Sequence, residues 1–311
     1  MRRPTPLPPA LAARGFTTAD ALSAGVTADR LRSRDLDRSI WGIRMPLEAP
    51  LAERCRTVLL VGREGAFVCG PTAAELHGMP LPPRARAGAR AELDIGTPGP
   101  GRALRRRGVR GRSLRLHQDD VVERAGVPVT SVARTWCDLA ATLSVPELVA
   151  AADWAVRAGI ASASTLRSAV ERHPDHRRHA KLDAAHSLLD AASESPKESE
   201  LRAIVALAGL PRPAVNPVVF DLGRLVARVD LLFRDFAEVL EYQGDHHRTD
   251  LVQWRRDRTR ESDLESLGFH VMEITNADLR GPRRLVERIA RNLRRRGWEG
   301  QPSFSPWFPG G

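Results

Sequence analysis

Four side chains in the last third of the chain are of the types that hold a divalent cation or move a proton. They are Glu198, Asp230, Glu241 and Gln243, with His246 and His247 directly after them. Glu198 lies three residues before Leu201 and seven before Val205, so it shares a helix face with the apolar residues. Read alone, it is an acid favoured by the helix dipole at an N-terminus. Val226 to Phe233 and Ala237 to Tyr242 read as two strands joined by a turn around Arg234 and Asp235. In an antiparallel hairpin with an even-numbered loop, paired positions sum to an odd number, which puts Asp230 and Glu241 on one face. A four-residue loop sets them directly opposite. Two carboxylates among Val, Leu and Phe are costly unless a cation or donors neutralise them. Gln243 joins that face by the two-residue period. Hard carboxylate oxygens of this kind suit magnesium, with manganese as a substitute, and leave positions for water and phosphate. A nearby imidazole, with an ordinary pKa of about 6.5, could act as general base or acid.

The elements that position these groups follow from the pattern around them. Glu198 opens a helix closed by Gly209 and Pro211. After Gly244 comes a helix with Asp257, Arg260 and Leu264, then the strand-like FHVMEIT, then a helix from Pro282 to Arg296. That last helix buries Leu285, Ile289 and Leu293 and shows Arg284, Arg288, Arg291 and Arg295. Residues 190 to 197, DAASESPK, read as a linker into this domain. Residues 298 to 311, with six Gly or Pro among fourteen, read as a disordered tail.

At the other end, a Pro-rich leader over 1–15 precedes FTTADALSAGVTADRLRSRDLDRSIWGIRM. Thr17 or Thr18 can cap a short helix, Gly25 closes it, Thr27 can cap a second helix with Leu31, and Ile40 to Arg44 alternates as a strand. This is the pattern of a winged helix-turn-helix over 16–50, whose second helix would carry Arg30, Arg32 and Arg34 into DNA. The same pattern also occurs in unrelated helical bundles. Residues 51–190 read as a mixed α/β region, with strands at Ala91 to Ile95 and Ser113 to His117 and helices at Val132 to Ala141 and Pro146 to Ala158. Between the strands, GRALRRRGVRGRSLR is either a solvated loop or a tracker of phosphates. Arg134 and Asp138, four apart, read as a helical ion pair.

Composition bounds the partners. The 311 residues suit about two domains, or three small ones, and carry 48 Lys plus Arg against 38 Asp plus Glu, a net charge of +10. Lysine occurs only at Lys181 and Lys197, so the excess is arginine, which pairs bidentately with phosphate. GC-rich codon usage explains part of it. Cys55, Cys69 and Cys137 are scattered, which argues against a disulfide framework or a zinc knuckle. Prolines fill the place of a signal-peptide core, and no run approaches the length of a membrane span. A cytoplasmic protein without membrane partners is expected.

Two resemblances add to this. GFTTADALSAGV, CGPTAAELHGMPLP and GVPVTSVARTWCDLA resemble, over roughly residues 10–160, the abortive-infection (AbiEi-like) antitoxin family of type IV toxin–antitoxin systems. That resemblance implies an operator-binding winged helix and a second domain of structural or regulatory role, and a toxin or a second copy as a partner. PKESELR, GLPRP, VDLLF, EYQGDHHR and DRTRESDLESLGFHV, within 196–297, resemble the very-short-patch-repair-like endonucleases of the PD-(D/E)XK nuclease superfamily. It implies a restriction-endonuclease-like α/β domain with a central mixed sheet, with Asp230 and Glu241 on the metal, Glu198 assisting, and His247 at the scissile phosphate. Arg260, in the same segment, is assigned to DNA. Gln243 departs from the superfamily's usual Lys, and Glu273 stands where relatives often carry a basic residue. Gln cannot supply positive charge to a transition state. The expected function is magnesium-dependent hydrolysis of DNA phosphodiesters. The alternative is a non-catalytic antitoxin-like regulator with a degenerate nuclease fold.

Overall fold

The computed structural model describes residues 4–86, 92–244 and 251–310, the side chains of 251–258 excepted. It is a mixed α/β chain whose contacts divide it into two units, residues 1–142 with 171–176, and residues 143–170 with 177–311.

In the first unit, the strands β1 (Phe16–Thr17), β2 (Leu36–Asp37) and β3 (Ile43–Pro46) form an antiparallel sheet in the order β1-β3-β2. The strand expected at 40–44 begins three residues later, because Ile40 leaves the sheet to enter a core with Leu93, Ile95 and Val109. The described part of the leader, residues 4–15, is not free. Pro9–Ala12 forms a helical turn, Leu11 packs with Phe16, Ala21 and Leu31, and the Gly15 amide donates to Glu53 Oε1 at 2.7 Å. Thr17 caps the helix Thr18–Ser23 through the Asp20 amide, and Gly25 turns at φ +80°. The expected second helix is only a 3₁₀ turn, Arg30–Arg32, started by Thr27 Oγ1 accepting from the Arg30 amide at 3.2 Å. Leu31 is the only apolar side chain between Thr27 and Asp35 apart from Ala28, too little to hold a longer amphipathic helix.

A six-stranded mixed sheet completes the unit in the order β6-β7-β5-β4-β9-β8. Its strands are β4 (Phe67–Val68), β5 (Leu93–Pro98), β6 (Arg105–Arg106), β7 (Val109–Leu114), β8 (Val121–Arg124) and β9 (Val127–Thr130). The strand expected at 113–117 thus lies earlier. Helix Val132–Leu139 is capped by Ser131, as its sequence indicates. The Arg134–Asp138 pair is a buried one: Arg134 Nε lies 3.1 Å from Asp138 Oδ1, which also meets His173 Nε2 at 3.1 Å, and Arg134 donates to the Arg115 carbonyl at 2.9 Å. Its role is to satisfy charge inside a core rather than to decorate a helix surface.

In the second unit, helices Val145–Arg157 and Pro196–Leu207 pack together, and a buried ion pair joins them, Arg202 to Asp153 at 2.7 Å. The segment read as a linker is anchored in this unit. The Asp190 amide donates to Asp153, Ser193 is buried, and Ser195 caps the second helix through the Glu198 amide. The division between units therefore falls before Leu143 and not at residues 190–196. A four-stranded mixed sheet follows in the order β10-β13-β14-β15, with β10 (Ala214–Val215), β13 (Leu231–Phe233), β14 (Glu238–Tyr242) and β15 (His270–Ile274). A separate hairpin, β11 (Val218–Asp221) with β12 (Arg224–Arg228), precedes β13. Helices Leu251–Ser266 and Pro282–Arg295 complete the fold. The latter buries Leu285, Ile289 and Leu293, and Arg288 is only half exposed because it pairs with Asp278 at 3.0 Å. The tail is ordered against the expectation of disorder. The amides of Ser303 and Ser305 donate to Ala208 and Leu207 at 2.8 and 2.7 Å, Phe304 meets Phe308 edge to face, and Phe308 is buried. Counting Gly and Pro overlooked the aromatic residues that give this segment something to bury.

Candidate phosphodiester site

The run VARVDLLF, expected as one strand, is two. β12 ends at Arg228, β13 starts at Leu231, and Asp230 occupies the break. From there β13 pairs antiparallel with β14, Leu231 with Leu240 and Phe233 with Glu238, across the four residues Arg234 to Ala237. One further step of that register sets Asp230 against Glu241, as the sequence arithmetic requires. β14 runs parallel to β15 with Glu241 beside Glu273. Asp230, Glu241 and Glu273 therefore share a face with Leu232, Val239 and Val271. These three pack in a cluster with Leu264 of the Leu251–Ser266 helix, which brings Arg260 of that helix to the carboxylates.

Asp230 Oδ2 accepts from the Tyr242 amide at 2.7 Å. Burial pushes its carboxyl up to about 6, with the nearby Glu198 and Glu194 adding to the rise while the Tyr242 amide and Arg260 oppose it. Glu198 is buried at the start of its helix, and its Oε2 accepts from the Glu194 amide at 2.8 Å and from Asn216 Nδ2 at 3.0 Å. Asn216 is the bridge between the two acids: its own amide donates to the Asp230 carbonyl at 2.8 Å. It sits at φ +46°, a left-handed conformation that Asn tolerates better than most residues. The sequence reading did not single it out, although Asn216-Pro217 is a turn signal that could have drawn attention to it.

Glu241 is buried, and its Oε2 lies 2.6 Å from Arg260. Arg260, assigned to DNA from the sequence, thus supplies the cation that one of the expected ligands requires. Gln243 is fixed at its backbone by the Ile274 carbonyl at 2.8 Å and at its side chain by Glu273 Oε1 at 3.2 Å. Gln243 and Glu273 thus satisfy each other. His246 and His247 lie outside the described residues.

Among the described residues, no three His, Cys, Asp or Glu side chains are grouped as a ready cage for a metal ion. The chemistry of the donors nevertheless fits a hard divalent cation. Asp230 and Glu198 are desolvated carboxylates in mutual electrostatic reach, and Glu241 shares Asp230's face with a cation already on it.

The comparisons with known proteins extend to two relatives. Both are described as uncharacterized proteins of Mycobacterium tuberculosis, one from strain CDC 1551 / Oshkosh and one from strain H37Rv. Each is 32% identical over 175 residues, which is 55% of this chain and 64% of the relative. The chain thus covers less than two thirds of their length. No family model matches the chain, and no solved structure matches it.

The expected DNA contacts of the first unit divide. Arg30 has a side chain only 10% exposed and is held by both oxygens of Asp35, at 3.0 and 2.8 Å. Arg32 is exposed and pairs with Asp29 at 2.9 Å, and Arg34 is exposed. Arg30 is therefore braced against Asp35 and little exposed, unlike Arg32 and Arg34. All three cysteines are buried, and burial raises their thiol pKa values, Cys55 to about 12, which keeps them protonated and unreactive. Among the described residues no helix is long and apolar enough to cross a membrane.

Proposed function

We propose that the chain is a cytoplasmic DNA-binding protein whose second unit hydrolyses DNA phosphodiesters with magnesium. The observation that carries this reading is the placement of Asp230. A half-buried carboxylate stands in a break between strands, opposite Glu241, and its backbone carbonyl is tied through Asn216 to Glu198. A fold gains little from desolvating acids together unless a cation is to join them. Asp230, Glu198 and Glu241 would hold magnesium, which supplies Lewis-acid polarisation of the phosphoryl group and an acidified bound water. Arg260, once Glu241 has another counter-charge, is available to a phosphate oxygen. Gln243 can orient a water but adds no charge. His247 takes its role near the scissile phosphate from the superfamily resemblance alone. The winged-helix reading of residues 16–50, and with it an antitoxin-like attachment to operator DNA, belongs to the same proposal. Its support is the order helix, turn, helical turn and two strands.

The test is conversion of supercoiled, duplex, single-stranded and mismatched DNA by the purified chain with magnesium, manganese or chelator. Cleavage by wild type that Asp230→Asn abolishes is the expected result. Equal cleavage by both proteins refutes the assignment. A specific pair of contacts favours a second reading, a regulator that grips DNA without cutting. Arg260 already neutralises Glu241, and Glu273 already engages Gln243. Absence of cleavage on every substrate with either metal selects that reading.

A further inference from the structure

The arginine run between β5 and β7 takes no part in the phosphodiester site, yet the first unit joins it to an exposed aromatic ring. The connection from β2 to β3, residues 38–42, is pinned from inside by Ile40, which is buried. Beside it, Trp41 is 72% exposed. The β6–β7 hairpin meets this loop at its turn. A Cβ on Gly108 would stand 2.6 Å from Ile40 Cγ1 and 2.9 Å from the Ser39 carbonyl, so only glycine permits the approach. Arg106 then ties the two together. Its Nη1 donates to the Trp41 carbonyl at 2.6 Å, and its guanidinium carbon lies 5.2 Å from the Trp41 ring centroid. Arg38 on the loop and Arg105 and Arg107 on the hairpin are exposed. Arg105 pairs across the ribbon with Arg110, which puts both on one face of the sheet edge, Arg106 is on the other, and Arg107 stands at the turn.

We infer that this loop and hairpin form a single-stranded DNA-binding surface, in which the arginines track phosphates and Trp41 stacks on one base. A cation on one face of the indole holds the ring in place and leaves the rest of it to solvent. A tryptophan platform can stack only on a base whose own face is uncovered, and in a duplex those faces are occupied by neighbours. Single strands, whose bases are free, are what a basic track with an aromatic ring accepts regardless of sequence. The choice of DNA over RNA rests on the proposed function of the second unit, and the surface itself does not.

The experiment is fluorescence anisotropy of the full chain with a labelled fifteen-nucleotide oligo-dT and with a duplex of equal length, both in chelator so that cleavage plays no part. Wild type is expected to bind the single strand more tightly than the duplex. Trp41→Ala lowers single-strand affinity by roughly tenfold, the order found for one stacked base, and leaves duplex affinity unchanged, while Trp41→Phe retains part of the affinity. Arg105→Ala with Arg107→Ala lowers affinity and reduces the salt slope by about 1.4, two charges at ~0.7 each. Unchanged single-strand binding by Trp41→Ala overturns the inference, and so does equal loss on both probes, which makes the surface a duplex-binding wing. Binding to neither probe overturns it as well. Cleavage assays report separately on the second unit, so each reading can fail alone.

Discussion

Asp230 carries an energetic cost that can be measured without any knowledge of substrate. Its folded-state pKa of about 6 lies above the ordinary 3.8. The folded state therefore holds a proton that the unfolded state releases between those values, and stability falls as pH rises through that window. Above about pH 6 the ionised carboxylate opposes folding by an amount on the order of 2 to 3 kcal/mol at most. Asp230→Asn keeps an oxygen for the Tyr242 amide and removes the charge. In chelator at pH 8 the variant is expected to be more stable than wild type by about 1 to 3 kcal/mol in urea unfolding, and the gap should close near pH 4. A variant less stable than wild type at pH 8 would mean that the carboxylate is well paired. Gln243 is the second informative residue. Because its amide already meets Glu273, Gln243→Lys is expected to form an ion pair there and change cleavage little. With Glu273→Gln added, the lysine is free to stabilise developing charge and rates should rise. A rise from the single substitution alone would show that Glu273 does not compete for it.

At the scale of elements, the sequence disclosed what local chemistry determines. Thr17 and Ser131 cap helices that begin where their hydroxyls sit, and the hairpin arithmetic places Asp230 opposite Glu241 because loop length alone fixes register. Elements set by distant packing were not legible. The expected second helix is a 3₁₀ turn in which Arg30 closes on Asp35, a pairing visible only when the chain has folded back. Substitutions at these arginines should therefore separate. Arg30→Ala is expected to lower stability and leave the salt slope of duplex binding unchanged, whereas Arg32→Ala with Arg34→Ala lowers the slope by about 1.8, two phosphates at ~0.9 each. A fall in slope from Arg30→Ala alone would restore it to the DNA face. The tail gives the same lesson. Phe308 is buried and the backbone of Ser303 and Ser305 closes the end of the Pro196–Leu207 helix. Phe308→Ala is expected to cost about 3 kcal/mol in chemical denaturation. A cost under about 0.5 kcal/mol, the range of ordinary surface substitutions, would return the tail to the disordered class.

For the whole molecule, composition spoke to charge and left the division of the chain hidden. The +10 balance is arginine-weighted, but the buried Asp153–Arg202 pair that holds helix Val145–Arg157 to the C-terminal sheet's own helix joins residues 49 apart, and no local pattern announces it. The carboxylate site is likewise assembled from a helix, a strand break and a distant arginine. That assembly allows the site to be read through global stability. An ion that binds the folded chain and not the unfolded one stabilises it by RT ln(1 + [L]/Kd), about 2.7 kcal/mol at a hundredfold excess over Kd. If Asp230, Glu198 and Glu241 receive magnesium, the cation gains two desolvated acids and must displace Arg260 from the third, so modest affinity and a response in the millimolar range are expected. Calorimetry of wild type should show the melting of the second unit rising with magnesium and not with sodium at equal ionic strength. Glu198→Gln and Asp230→Asn should each remove the rise, and Arg260→Gln, which leaves Glu241 in want of a counter-charge, should enlarge it. A magnesium response that survives both carboxylate substitutions would place the ion elsewhere on the molecule, and no response in wild type or in Arg260→Gln would leave the site to its arginine.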